Sequence, residues 1–255
     1  KFIAISFAAV MAFSACQERY VTYDGDEYVM FADTLAVYPV MEGAEEFSIP
    51  VVSTVVRDYD RTFGVEVIDR LSNAIERKHY SLESNTITIK AGETRADVKV
   101  RGHYENIGEA DSLGFALQLV MKDELVMPLY GKQTKAVIMK TGKFDRSKFT
   151  GYCVLSSMFL QNYSQTGGYN RLVYTEPHPT LENTIICRNW LKDGYDVELT
   201  FNDKDPLMPI VTMGRTVAGD QGSFFGTSYG QWGDKLYVQS SNLAQSIFYP
   251  LGGYL

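Results

Sequence analysis

Cys16 is the one residue of this chain whose neighbours prescribe a reaction. It follows Phe13, Ser14 and Ala15 at the end of the stretch KFIAISFAAVMAFSAC. A basic start, an apolar run too short to span a bilayer and small residues ahead of a cut make a secretory signal over residues 1–15. Cleavage before Cys16 leaves a free amine beside its thiol. The thiol then takes a diacylglycerol and the amine a further acyl chain. Each buried methylene contributes about 0.8 kcal/mol, so several chains together hold a protein to a membrane. Lipidation is therefore expected at Cys16, with the lipid membrane as its first partner and the cell envelope as its address.

The other reactive side chains prescribe less. Cys153 and Cys187 stand in neither a CxxC pair nor metal-ligand spacing. An oxidising envelope would allow them a disulfide. Two buried thiols on strands are the other reading, since free Cys behaves as a small hydrophobe. The histidines are His79, His103 and His178, and no HExxH, GxSxG, P-loop or GxGxxG after a strand occurs. Glycoside hydrolysis needs only two facing carboxylates. Asp193, Asp196, Glu198, Asp203 and Asp205 are close in sequence, but they bracket an expected strand and read first as charged turns. No catalytic residue is assigned.

Aromatic residues offer binding chemistry instead. The stretch GDQGSFFGTSYGQW places Phe224, Phe225, Tyr229 and Trp232 among glycines, amides and hydroxyls, and Trp190 with Tyr195 adds a second centre. Such a mixture suits a ligand cleft, where apolar rings fix shape and a few polar groups fix orientation. The same residues would also serve to close a barrel, with glycine at the bends.

These groups must be positioned by β-structure. From Glu27 to Met121 apolar and polar residues alternate with period 2, as in Phe47/Ile49/Val51, Phe63/Val65/Val67 and Phe115/Leu117/Leu119. Turn residues such as Glu42-Gly43 and Ala91-Gly92-Glu93 separate the runs. About seven short strands at that spacing predict a sandwich. A second set of short runs between Phe149 and Leu255, joined by Gly-, Asn- and Asp-rich turns, predicts an antiparallel barrel or second sandwich. The expected order is a lipidated tether at 16–26, a sandwich over 27–140, a polar linker at 141–148 and a C-terminal antiparallel β domain over 149–255. The fold class is all-β. The formal net charge is −7, without the basic footprint of a nucleic-acid binder.

The first domain resembles the Calx-beta repeat, an immunoglobulin-like sandwich. Residues 38–43 (YPVMEG), 47–51 (FSIPV), Ala74, 79–82 (HYSL), 87–93 (ITIKAGE), 103–106 (HYEN) and 113–119 carry the likeness in order. The resemblance implies calcium held by loop carboxylates at one end. Carried over by position, these are Glu42, Glu105, Glu109 and Asp111. His79 and His103-Tyr104 stand where the family often has acids, and calcium takes six to eight hard oxygens; these replacements argue against the metal, and no cofactor is expected. The whole order is similar to a class of Bacteroidota surface lipoproteins: lipobox, tether, Calx-beta-like domain, C-terminal β domain of unknown function. That resemblance implies an outer-membrane anchor, on the periplasmic face or the cell surface, and a glycan-uptake context.

The expectation is thus a non-catalytic envelope lipoprotein that binds a glycan or a partner protein, such as an outer-membrane transporter or neighbouring lipoprotein. A structural or adhesive spacer is the alternative, since fold does not fix function. A glycan hydrolase is a third.

Overall fold

A computed structural model describes residue 23 and residues 25–163, 168–222 and 234–255. Cys16 and residues 223–233, with Phe224, Phe225, Tyr229 and Trp232, lie outside the described residues.

Nine strands build the first unit: β1 (Val29–Phe31), β2 (Leu35–Val40), β3 (Glu46–Ser53), β4 (Arg61–Val67), β5 (Tyr80–Leu82), β6 (Thr86–Ile89), β7 (Arg95–Gly102), β8 (Leu113–Val120) and β9 (Gln133–Lys140). They form one sheet in the order β1-β3-β7-β5 and another in the order β2-β9-β8-β4-β6. From β1 to β8 the chain changes sheet at every step. Each strand can then spend its alternate apolar side chains on the shared core, which is what the period-2 pattern demands. Ile49 and Val51 of β3 meet Phe115, Leu117 and Leu119 of the central strand β8 in a single buried cluster. Tyr80 lies flat on Phe115, with ring centroids 3.8 Å apart.

Every strand pair here is antiparallel except β2 with β9, which run parallel from Leu35–Lys135 to Val40–Lys140. The Thr134 hydroxyl donates to the Asp33 carbonyl at 2.7 Å and fixes the start of that pairing. A buried arginine ties one end of the sandwich. Arg61 donates through Nη1 to Glu27 Oε1 at 2.8 Å and Ser53 Oγ at 2.7 Å, and through Nη2 to the Glu93 carbonyl at 2.8 Å. Arg57 grips the other Glu27 oxygen. Burial works against the Glu27 charge, but the two guanidinium groups outweigh it and hold the carboxyl below its ordinary range.

The second unit is a six-stranded antiparallel sheet in chain order: β10 (Gly151–Ser156), β11 (Asn170–Pro177), β12 (Thr184–Arg188), β13 (Val197–Asn202), β14 (Ile210–Thr212) and β17 (Ser246–Ile247). A ribbon of β15 (Thr216–Asp220) and β16 (Lys235–Val238) accompanies it, and a short helix α1 (Met158–Tyr163) joins β10 to β11. Neither β15 nor α1 is foreshadowed in the sequence: the first reads as turn chemistry, and the second is too short for helical period to show. Among the described strands the sheet is open, with β10 and β17 at its edges.

Residues 141–148, expected as a polar linker, are packed onto this sheet. The Phe144 ring stacks on Phe201 at 4.2 Å, and its N–H donates to Asp203 Oδ2 at 2.9 Å. The Thr141 hydroxyl donates to the Pro206 carbonyl at 3.0 Å. The polar composition of TGKFDRSK hid one aromatic anchor.

At Gly102 the two sheets approach closely. A Cβ there would lie 2.5 Å from Val40 Cγ2, and Val40 is wholly buried and stiff. Gly102→Ala is expected to lower stability by about 1–3 kcal/mol, read as a fall in the denaturant midpoint with an unchanged slope.

Candidate functional site

Gly151 opens β10 with φ +115, a conformation closed to residues carrying a Cβ. From there β10 and β11 pair in strict register, so their side chains alternate between two faces. The inward row is Cys153, Val173 and Thr175, continued by Cys187 on β12. The outward row should be polar if it simply met water. It is Tyr152 opposite Tyr174 and Val154 opposite Leu172. Their exposures are 79, 43, 62 and 66%. The two tyrosine rings meet edge to face, centroids 5.1 Å apart. An apolar patch of this kind on an exposed strand pair marks a contact surface.

The patch ends at a charged group built from the next strands. Arg188 of β12 lies opposite Tyr174. Its Nε donates to Glu176 Oε1 at 3.1 Å, its Nη2 bonds the same oxygen, and its Nη1 bonds Asp196 Oδ2. Asp196 Oδ1 accepts the Asn189 N–H at 2.9 Å, and Asn189 Oδ1 accepts the Gly194 N–H at 2.7 Å. Asn189 sits in the left-handed region at φ 55, so Asp196 fixes both the arginine and the turn of the 189–195 loop. Burial would raise the Asp196 carboxyl; the Asn189 N–H and the Arg188 guanidinium outweigh it and hold the group below 3.8. Tyrosine faces, aliphatic contacts and a fixed Arg–carboxylate set thus adjoin on one sheet face. Alternation alone could not locate it, because GYCVLS is apolar at both parities and reads as a strand buried on both sides.

The residues expected from sequence are distributed differently. Trp190 and Tyr195 are half-buried and close the 189–195 loop through Trp190 N–H to the Tyr195 carbonyl at 2.9 Å. The Trp190 side chain packs between two apolar clusters of the second unit. It is therefore a filler rather than an exposed platform. The proposed partners of that platform, Phe224, Phe225, Tyr229 and Trp232, lie outside the described residues. Cys153 and Cys187 are free thiols on strands separated by β11; Cys187 is buried but Cys153 is exposed, so the expectation of two buried thiols holds for Cys187 alone. Burial pushes the Cys187 thiol up to about 12.

Glu42, Glu105, Glu109 and Asp111 are all exposed. Burial, then the nearby carboxylates of Glu42, Glu105 and Glu109, push the Tyr104 phenol up. Lys140 Nζ lies 4.0 Å from the Tyr104 ring centroid. Asp111 is engaged by the Gly108 N–H at 2.7 Å. His79 accepts the Ile75 N–H through Nδ1 at 3.0 Å, and burial lowers its pKa. Among the described residues no group of three or more His, Cys, Asp and Glu is placed to hold a metal ion.

Residues 129–249 match a family model described as Domain of unknown function (DUF4984). No curated protein matches the chain. Solved structures similar to it include a Calx CBD1 domain in its apo form, at 16% identity over 46% of this chain and 98% of that one, TM-score 0.36. A Bacteroides ovatus protein of unknown function shares 12% identity over 73% of this chain and 70% of its own, TM-score 0.39. A Bacteroides ovatus protein provisionally described as carbohydrate binding shares 13% identity over 83 and 78% of the two chains, TM-score 0.33.

The charged set sets an acid limit. A carboxyl held below its ordinary 3.8 stabilises the fold fully above that value and loses the contribution as pH falls through the lower folded value. Arg188→Gln is expected to move the Asp196 titration upward, and Asp196→Asn to remove this part of the acid-side loss. Carboxyl NMR titration and unfolding across about pH 2–5 check both.

Proposed function

We propose that this chain is a non-catalytic lipoprotein of the cell envelope that binds a glycan on the outer face of β10–β12. The exposed pairing of Tyr152 with Tyr174 and Val154 with Leu172, beside the Arg188 set, carries the reading. A sugar ring has apolar C–H faces that pack on aromatic and aliphatic side chains, while its hydroxyls need donors and acceptors held in place. The tyrosines and the fixed Arg188, Glu176 and Asp196 supply both on one rigid sheet. The same arrangement favours binding over hydrolysis. A glycosidase needs one carboxyl kept protonated near neutral pH, whereas Asp196 is held ionised by Arg188 and the Asn189 N–H. The lipobox supports the envelope address, and the order of tether, sandwich and second β unit sets the binding face away from the anchor in sequence.

Native affinity-gel electrophoresis of the full chain against plant, host and bacterial polysaccharides tests the binding. Retardation by at least one glycan is expected, weakened about tenfold or more by Tyr152→Ala or Tyr174→Ala without change in the unfolding midpoint. Trp190→Ala is expected to lower the midpoint instead, since its ring fills the core. Uniform mobility across all polysaccharides would sink the glycan reading and turn attention to a protein partner. For the anchor, labelled palmitate is expected to enter the chain in a bacterial host and to be lost with Cys16→Ala. Equal labelling of that variant would remove the lipid from the account.

A further inference from the structure

The inner side and free edge of β10 form a feature separate from the glycan-binding face. A cavity of about 580 Å³ opens beside β10, Trp190 and residues 253–255. Val173, Ile185, Cys187 and Leu199, from the inward rows of β11, β12 and β13, line it, and Lys148 is the one charged side chain among its lining residues. Tyr152 and Val154 also line it, although their side chains belong to the outward row. Their main-chain groups face the free edge of the sheet.

The register shows which main-chain groups these are. The Ser157 N–H donates to the Tyr169 carbonyl at 2.9 Å, and the Gly151 carbonyl accepts the Thr175 hydroxyl at 3.1 Å. The odd-numbered residues of β10 therefore turn their N–H and C=O groups toward β11. Those of Tyr152, Val154 and Ser156 turn the other way, along the free edge. Among the described residues no strand pairs with β10 on that side. Natural edge strands discourage pairing with lysine, proline or a bulge; GYCVLS contains none of these and pairs with β11 without a register shift. Six residues at about 3.3 Å each make an edge of roughly 20 Å.

We infer that this edge accepts an extended segment of a partner protein as an added strand, apolar along its length and carrying one acidic residue at the end nearest Lys148. Each outward residue offers one donor and one acceptor to such a strand. Alternate side chains of the guest would enter the apolar cavity. Charge selects the guest: the lining is apolar and hydroxyl side chains with a single cation, Lys148, whose Nζ gives one donor to the Leu251 carbonyl at 3.2 Å and keeps two for a guest carboxylate; a basic segment would set its charge beside Lys148.

The test uses the full chain and a fluorescein-labelled peptide, Glu-Val-Thr-Val-Thr-Val, followed by fluorescence anisotropy up to about 1 mM peptide. Two further peptides carry N-methyl groups on one or the other alternate set of residues. Saturable binding is expected. One methylation pattern should weaken it by about tenfold or more, because it removes the donors facing β10, and the other should leave it unchanged. Lys148→Gln should weaken the Glu peptide several-fold and leave its Gln counterpart unaffected. Val154→Pro should abolish binding with the unfolding midpoint retained, since the N–H it removes lies outside the ladder. No binding at the highest concentration, or equal binding of both methylated peptides, overturns the inference. Polysaccharide retardation of the Lys148→Gln variant reads the outer face independently, since Lys148 is no part of that face.

Discussion

Four phenylalanine rings hold the second half of this protein in register. Phe144, Phe149, Phe201 and Phe248 contact one another pairwise, with centroids 4.2–5.8 Å apart and both stacked and edge-on geometries. They come from the segment after β9, the turn before β10, the end of β13 and the residue after β17. One apolar cluster therefore joins the exit of the first sandwich to both edges of the second sheet. β10 begins two residues beyond Phe149, and the Phe149 carbonyl accepts the Thr175 hydroxyl at 2.7 Å. The position of the β10–β11 hairpin, and with it every outward residue of the binding face, follows from where that ring is buried. Aromatic pairs contribute about 0.5–1.5 kcal/mol beyond their area, so a cluster of this kind can override the polar composition around Phe144.

The first sandwich was legible because its strands are amphipathic. Phe47/Ile49/Val51 and Phe115/Leu117/Leu119 point one way, and a sheet with one wet face has no other way to place them. The likeness to Calx-beta sequences in that region agrees with two sheets packed on one core. The candidate site was not legible for the opposite reason. Tyr152, Val154, Leu172 and Tyr174 look like core residues in a row of core residues, yet all four are exposed, two on the edge strand β10 and two on its neighbour β11. The stretch richest in aromatics drew attention to 219–232, whereas in the second aromatic centre Trp190 is packing material.

The acidic loops show how identity and position can part. Glu42 is more than sixty residues from Glu105 and Glu109 in sequence, yet all three carboxylates help to raise the Tyr104 phenol. What the motif could not convey is Lys140. It reaches the same ring from the end of β9. His79 and His103 are likewise spent on the main chain and on Ser81. The loops keep their shape through hydrogen bonds within the chain.

The parallel pairing of β2 with β9 has a mechanical meaning. Its two ends are fixed by the Lys135 N–H on the Thr34 carbonyl and the Thr141 N–H on the Val40 carbonyl. The chain enters β2 at one end of this ladder and leaves β9 at the other. Tension between the segment ahead of the sandwich and the unit behind it pulls the two strands past each other along their length. The hydrogen bonds of a parallel ladder are evenly spaced, so they bear that pull together instead of opening one after another. Once the load has passed β1, the sandwich resists it in shear, and the second unit can be tugged from outside without the first being peeled apart.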